Sequence, residues 1–118
     1  MNILLIIIPV VLILFKLITS KSDISGVQAK ELLANGGKVI DVRSQPEYRN
    51  GHIKSSINIP LAEILTGARK QGLQKDTPVI LYCDSGARSA SAKRFLIKEG
   101  YTSVYNGGSL RKMSKLQG

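Results

Sequence analysis

Cys83 is the only cysteine of the chain, and it stands between an apolar run and a loop of small and polar residues that leads to Arg88. Residues 79–82 read Val-Ile-Leu-Tyr, which is typical of a parallel strand buried on both faces. Active sites of parallel α/β sheets lie beyond the carboxyl ends of strands, where we expect Cys83. Gly86 lets successive backbone N–H groups turn toward one point and cradle an anion. Together with the guanidinium of Arg88, these donors should lower the pKa of the thiol and make Cys83 a nucleophilic thiolate.

The other interpretation of Cys83 is a buried thiol that packs as a small apolar side chain. The residues that follow it, Asp84, Ser85, Gly86 and Arg88, are not apolar, so a nucleophile is favoured. One Cys and one His allow no intramolecular disulfide and give too few ligands for a structural zinc site. The composition therefore predicts neither a disulfide framework nor a zinc site, and attack by a cysteine thiolate would itself need no metal or organic cofactor.

Helical and extended stretches alternate along residues 21–118. Ser25 and Gln28 fit a capping box that begins a helix, and residues 44–46 read as a turn. Ala92, Phe95 and Leu96 are predicted on the buried face of the last helix. The predicted helices cover residues 27–34, 61–68 and 88–99, and the predicted strands cover residues 38–42, 55–59, 79–82 and 104–105. This alternation predicts one α/β domain whose central, mainly parallel sheet is flanked by helices.

The first twenty residues differ in composition from the rest of the chain. Residues 3–15 are apolar without a charge, and the run continues past Lys16 to Ser20, which makes 18 residues in all. As a helix this run would be about 27 Å long, close to the hydrocarbon core of about 30 Å. The sequence thus predicts that residues 1–20 are a transmembrane anchor in the lipid bilayer, or an uncleaved signal-like segment, before a domain at residues 21–118.

The charges beside this run predict its orientation. Lys16 and Lys21 follow the apolar core of the run, and only Met1 and Asn2 precede it. By the positive-inside rule, the domain of such a single-pass membrane protein lies in the cytoplasm. The segment Ser20-Lys21-Ser22 also resembles a weak signal-peptide cleavage site, so an exported or periplasmic domain is the alternative.

The net charge of +9 comes from 17 Lys and Arg against 8 Asp and Glu. These charges are scattered, and the sequence contains no recognisable nucleic-acid-binding module, so a nucleic-acid partner is not predicted. Residues 110–118 are basic and carry no acid. They could touch anionic lipid headgroups, but a frayed, solvated terminus is the favoured interpretation.

Several short motifs stand in the order and spacing of the single-domain rhodanese-like sulfurtransferases. They are Asp41-Val42-Arg43, Glu47, Gly51-His52-Ile53, Ile57-Asn58-Ile59-Pro60 and Cys83-x-x-Gly86-x-Arg88-Ser89. The chain resembles this family over residues 24–108. The resemblance implies a small α/β domain with a central parallel sheet, in which the loop cysteine lies in a pocket of backbone amides.

The resemblance also implies an enzyme that moves a sulfane sulfur from a donor, thiosulfate or a persulfide, to a thiol or cyanide acceptor through a persulfide on Cys83. Cys83 and Arg88 would be catalytic. The loop residues implied to bind the substrate are Asp84, Ser85, Gly86, Ala87 and Ser89. Two alternatives stay open: a membrane-tethered module that carries or senses persulfide with little turnover, and a phosphatase or arsenate reductase. Related enzymes of the last two kinds have seven residues from Cys to Arg where this chain has six, so loop length favours sulfur transfer.

Four upstream residues are implied to support the site rather than to react. Asp41, Arg43 and Glu47 follow the first strand, and an Arg43–Glu47 ion pair would fix the geometry under the loop. His52 is a candidate base for the thiol, but a pocket of Arg88 and backbone amides already activates the thiol, and Gly51-His52-Ile53 is typical of a turn, so a structural role is favoured. The charge of Asp84, next to the nucleophile, either selects against anionic donors or faces solvent.

Overall fold

The computed structural model of the chain describes residues 3–20 and 22–116, in which six helices alternate with four strands. The helices are α1 (Leu4–Ser20), α2 (Gly26–Ala34), α3 (Gln45–Arg49), α4 (Ile64–Lys70), α5 (Ala87–Lys98) and α6 (Leu110–Ser114), with a 3-10 turn at Leu61–Glu63 before α4. The strands are β1 (Lys38–Asp41), β2 (Ile57–Asn58), β3 (Val79–Cys83) and β4 (Val104–Ser109).

The four strands form one parallel sheet in the order β2-β1-β3-β4. The predicted α/β fold with a central parallel sheet is therefore confirmed. The pairing of β3 with β4 shifts after Leu81, because Gly107 is an extra residue in β4. A Cβ atom at Gly107 would lie 2.7 Å from the sulfur of Met113 and 2.8 Å from Cγ2 of Ile80, so only glycine fits this bulge.

Side chains of β3 alternate between two apolar clusters, one on each face of the sheet. Val79, Leu81 and Cys83 pack with residues of α4 and α5, whereas Ile80 and Tyr82 pack with residues of α2 and α6. All five residues are buried, as the unbroken apolar run of this strand predicts. Cys83 thus ends the most deeply buried strand of the sheet, and α5 begins four residues later.

The helix predicted from the first capping box is confirmed: the amide of Gln28 donates to Ser25 Oγ (3.1 Å), and the Ser25 amide donates to Gln28 Oε1 (2.9 Å). The predicted turn at residues 44–46 is wrong. Ser44 and Glu47 form a second capping box, and this box begins α3. The proline that indicated a turn, Pro46, lies in the first turn of this helix, where its missing N–H costs nothing.

The C-terminal part is more ordered than predicted. β4 continues to Ser109 instead of ending at Tyr105, because the bulge carries the pairing past the two glycines. The tail predicted to fray forms α6, which Ser109 caps by accepting from the amide of Lys112 (3.0 Å). Met113 anchors this helix in the apolar cluster. The last two residues of the tail lie outside the described residues.

The prediction that Phe95 lies on the buried face of α5 is wrong, because this residue is 49% exposed. Ala92 and Leu96, one turn apart, fill that face, and both are fully buried. Residue 95 is rotated by about 100° from residue 96, and this turns its ring to the edge of the helix.

The predicted transmembrane anchor is not supported. α1 has 17 residues, one fewer than the 18-residue apolar run from which the anchor is predicted. Within residues 3–20 and 22–116, no helix combines the length and the apolar character that crossing a membrane requires. Lys21, on which the predicted orientation partly depends, lies outside the described residues.

Tyr82 ties the Gly51-His52-Ile53 segment to the sheet. Its hydroxyl accepts from the amide of Ile53 (3.0 Å) and lies 3.2 Å from Ser56 Oγ. Burial of the ring raises the pKa of Tyr82 to about 12, so the hydroxyl is neutral at any physiological pH.

Replacing Tyr82 with Phe should lower the free energy of unfolding by roughly 1–3 kcal/mol, because the buried amide of Ile53 then has no acceptor. Urea denaturation measures the change. Tyr105→Phe, at a partly exposed position of β4, is the matched control and should change stability by less than about 0.5 kcal/mol. Equal losses in the two variants would contradict a special role for the Tyr82 hydroxyl.

Candidate active site

The sulfur of Cys83 is enclosed by the loop that follows β3. Cys83 is 0% exposed, and its Sγ accepts a hydrogen bond from the amide of Gly86 (3.0 Å). The hydroxyl of Ser89 lies 3.5 Å from the same sulfur. The sulfur therefore faces hydrogen-bond donors on the loop side and apolar residues on the sheet side.

Two opposing effects set the acidity of this thiol. Burial raises the pKa of Cys83, because a charged sulfur loses hydration. Hydrogen bonds from the hydroxyl and amide of Ser89 and from the amides of Ser85 and Gly86 lower it, and together they outweigh burial. The thiolate is thus stabilised mainly by neutral donors of the loop.

Gly86 gives the loop its shape. Its φ of 93° lies in the left-handed region that favours glycine, and it stands directly before the first residue of α5. This conformation turns its amide back toward Cys83. Of the five residues predicted to bind substrate, the structure buries Gly86 and Ser89 beside the sulfur and exposes Asp84, Ser85 and Ala87.

Arg88, in the first turn of α5, is held by a carboxylate from α3. Its Nη1 and Nη2 donate to Glu47 Oε1 (2.7 Å) and Oε2 (2.9 Å), and the Ser44 hydroxyl also donates to Glu47 Oε1 (2.9 Å). The pKa of Glu47 is held far below its ordinary value, first by Arg88 and then by Ser44. Arg88 is therefore committed to a bidentate ion pair, which also raises its own pKa.

Asp84 lies between this pair and a second one. Arg43 is buried, and its Nη2 donates to Asp41 Oδ2 (2.7 Å). Asp84 Oδ1 is 3.5 Å from Arg43 Nη1, and Asp84 Oδ2 is 3.7 Å from Arg88 Nη2. We call these residues the rim network: Asp41, Arg43, Glu47, Asp84 and Arg88. Arg43 and Glu47 have separate partners in it, in place of the predicted Arg43–Glu47 pair.

Asn106 is a residue that the sequence analysis missed. It is 2% exposed in β4, and its Nδ2 donates to the carbonyl of Gly86 (3.0 Å). Its Oδ1 accepts from the Ser89 hydroxyl (2.6 Å) and from the amide of Gly108 (3.0 Å). Asn106 thus holds both loop residues that contact the sulfur. A polar residue inside a buried strand indicates that its side chain has hydrogen-bond partners. The sequence does not identify these partners, because they lie 17 and 20 positions away along the chain.

His52 has its contacts elsewhere. Its ring stacks on Tyr48 with 3.6 Å between centroids, and its Nδ1 lies 2.7 Å from the Tyr48 carbonyl oxygen. A carbonyl only accepts, so Nδ1 carries the hydrogen of this bond. These contacts fit a role in fixing the segment after α3 better than a role as a base for Cys83.

The Glu47–Arg88 pair should make stability depend on acid. Because the pKa of Glu47 is lowered on folding, its contribution is complete above the ordinary value of 4.5 and is lost as the pH falls below it. Wild-type protein should therefore lose stability in acid more steeply than Glu47→Gln, as measured by urea denaturation between neutral pH and acid. Glu63→Gln removes one exposed carboxyl in the 3-10 turn as a control, and parallel curves for wild type and Glu47→Gln would contradict the pairing.

Asn106→Ala should destabilise the fold by roughly 1–3 kcal/mol for each buried partner that is left without a hydrogen bond. Chemical denaturation measures the loss. The control is Asn35→Ala, because Asn35 also donates its Nδ2 to a carbonyl, that of Glu31 (3.0 Å), but at an exposed site. A loss for Asn106→Ala no greater than that of the control would show that the buried amide does not hold the loop.

The chain is similar to a known family and to several known proteins. Residues 25–110 match the family described as rhodanese-like domain. Thiosulfate sulfurtransferase PspE of Escherichia coli (strain K12) is 38% identical over 81 residues, which are 67% of this chain and 78% of PspE. Thiosulfate sulfurtransferase GlpE of Pseudomonas fluorescens (strain SBW25) is 36% identical over 78 residues, or 66% of this chain and 70% of GlpE. The uncharacterized protein YqhL of Bacillus subtilis is 42% identical over 69 residues, 58% of this chain, which spans only 53% of YqhL.

Solved structures show the same likeness. A rhodanese from E. coli, determined with anions, superimposes with a TM-score of 0.62 at 37% identity, covering 64% of this chain and 89% of the other. The human single-domain sulfurtransferase TSTD1 superimposes with a TM-score of 0.65 at 27% identity, covering 75% and 90%. These relatives confirm the predicted enzyme class, a rhodanese-type sulfurtransferase. From the match over residues 25–110, the shared fold and the relatives, we conclude that the chain belongs to the family of rhodanese-like domains.

Proposed function

We propose that the protein transfers a sulfane sulfur in two steps through a persulfide on Cys83, and that thiosulfate serves as a donor. In the first step the Cys83 thiolate attacks the outer sulfur of thiosulfate. A bond forms between the two sulfurs, the sulfur–sulfur bond of thiosulfate breaks, and its electron pair leaves with sulfite. Cys83 then carries a persulfide anion.

In the second step an acceptor removes the outer sulfur. A thiolate in the cell, or cyanide in an assay, attacks that sulfur, and the electron pair of the broken bond returns to Cys83. The products are a persulfide of the acceptor, or thiocyanate, and the Cys83 thiolate. The two steps together need no external oxidant or reductant.

The observation that carries the proposal is the 3.0 Å hydrogen bond from the Gly86 amide to the Cys83 sulfur inside a six-residue loop. A fixed amide stabilises negative charge on sulfur without having to reorient during the reaction. The names of PspE and GlpE, thiosulfate sulfurtransferases, support thiosulfate as the donor.

A persulfide carrier with little turnover is the second candidate. It is favoured by the burial of Cys83, because a 0% exposed cysteine shields a bound persulfide from acceptors. The two candidates share the first step and differ in the second. An enzyme releases many sulfite molecules per chain when cyanide is present, whereas a carrier releases one.

We further propose that the domain works in the cytoplasm. Cys83 is the only cysteine, and a nucleophilic thiol without a partner needs a compartment that keeps it reduced. Export of the domain is the alternative.

Cys83→Ser should abolish sulfite release from thiosulfate, because a serine hydroxyl cannot form a persulfide. The full-length wild-type chain should gain the mass of one sulfur atom after incubation with thiosulfate, and the variant should gain none. Intact mass spectrometry and a sulfite assay measure the two results.

The matched control is the double variant Cys83→Ser, Ser114→Cys, which keeps one thiol but moves it to an exposed position of α6. It should form a persulfide far more slowly than wild type, since position 114 lies outside the amide pocket. A single variant that still releases sulfite, or a control as fast as wild type, would refute the proposed function.

A further inference from the structure

Asp84 faces two cations beside the Cys83 loop. Its side chain is 61% exposed, and its two carboxylate oxygens face different guanidiniums: Oδ1 faces Arg43 at 3.5 Å, and Oδ2 faces Arg88 at 3.7 Å. An anionic donor that used these guanidiniums to offset its charge would have to compete with Asp84. Asp84 is therefore placed as an internal competitor for any anion that approaches Cys83.

The other contacts of these two guanidiniums also offset their positive charge. Arg43 is paired with Asp41, and Arg88 is paired in bidentate fashion with Glu47. With two cations and three anions, the rim network has a formal charge of −1. When Cys83 is a thiolate, the site as a whole is more negative still. A thiosulfate dianion thus meets a site of its own sign.

Because the sulfur is buried, a donor must come close to this negative charge. Cys83 is 0% exposed, whereas Asp84, the next residue in the chain, is exposed. A donor that reaches the sulfur past the loop therefore comes close to Asp84, the exposed carboxylate next to the nucleophile. Like charges at such a rim repel an anionic substrate and leave a neutral one unaffected.

We propose that Asp84 is a specificity-determining residue that favours sulfur donors of low negative charge, the protonated persulfides of small thiols, over dianionic thiosulfate. This rests on the proposed function, in which Cys83 accepts a sulfane sulfur. The Cys83 thiolate attacks the outer sulfur of R–S–SH, the sulfur–sulfur bond breaks, and its electron pair leaves as R–S⁻. The proton stays on the outer sulfur, so Cys83 ends as a neutral persulfide.

Alkylation with two reagents of different charge tests the charge selection without any turnover. Iodoacetate and neutral iodoacetamide react with thiolates by the same displacement, so the ratio of their rate constants reports the charge around Cys83. A change in the pKa of Cys83 affects both reagents equally and cancels in the ratio. Because Cys83 is the only cysteine, the full-length chain gives one signal.

The iodoacetate-to-iodoacetamide ratio should rise about threefold to tenfold in Asp84→Asn at low salt. The increase should be smaller at 1 M salt, where the Debye screening length is about 3 Å. Asp76→Asn is the matched control: it makes the same change in net charge at an exposed site before β3, at the other end of the strand from Cys83. Its ratio should stay within about twofold of wild type.

Donor kinetics provide the second measurement. At a pH where Cys83 is fully ionised, Asp84→Asn should raise kcat/KM for thiosulfate about threefold to tenfold, mainly through a lower KM. The kcat/KM for the persulfide of a small uncharged thiol, which carries at most one negative charge, should rise by a smaller factor than that for dianionic thiosulfate.

An unchanged alkylation ratio in Asp84→Asn, an equal rise in Asp76→Asn, or a sulfur that neither reagent reaches would overturn the proposal. So would an equal gain for both donors. If no donor forms a persulfide on the wild-type chain, the proposed function fails, while the alkylation ratio still decides whether Asp84 selects by charge.

Discussion

A buried sulfur that must carry negative charge is the constraint on which the rest of the structure depends. Cys83 ends a strand whose five residues are all buried, so burial alone would keep its thiol neutral. The loop offsets this with the amide of Gly86 and the donors of Ser89. These groups can only point at the sulfur if Gly86 adopts a left-handed conformation and α5 begins directly after it.

The support for this loop comes from parts of the chain that are far apart in sequence. Asn106 in β4 holds the Gly86 carbonyl and the Ser89 hydroxyl, and the backbone N–H of Asn106 donates to Asp23 Oδ1 (2.9 Å). Ser89 has one hydroxyl proton, which serves either Asn106 or the sulfur. When it turns to the sulfur, Asn106 Oδ1 keeps its bond from the Gly108 amide, so no buried acceptor is left unpaired. The network therefore tolerates both charge states of Cys83.

Local patterns were enough to predict the parts of the fold that depend on local physics. The apolar run of β3 and the Ser25–Gln28 capping box depend only on neighbouring residues, and both are present. The cap that begins α3 is local as well, because Ser44 and Glu47 are three residues apart, but Pro46 fits a turn equally well and the helix was missed. Long-range contacts decided α6, because Met113 finds its apolar partners, such as Ile80 and Tyr82, only in the folded domain. The length of α1 does not support the predicted membrane span.

The active site shows the same division between residues that local patterns identify and contacts that only the folded chain makes. Cys83, Gly86 and Ser89 could be identified from one short segment, but the partners of Arg88 could not. The sequence assigned Arg88 to activating the thiol, whereas Nη1 and Nη2 of Arg88 donate to Glu47, so its charge is largely offset. Amide dipoles are fixed in direction by the backbone, so they stabilise a charge that appears on the sulfur without having to reorient. A site that depends on amides can therefore keep Asp84 beside the nucleophile. In a site that depended on free cations, the same carboxylate would pair with those cations and block the reaction.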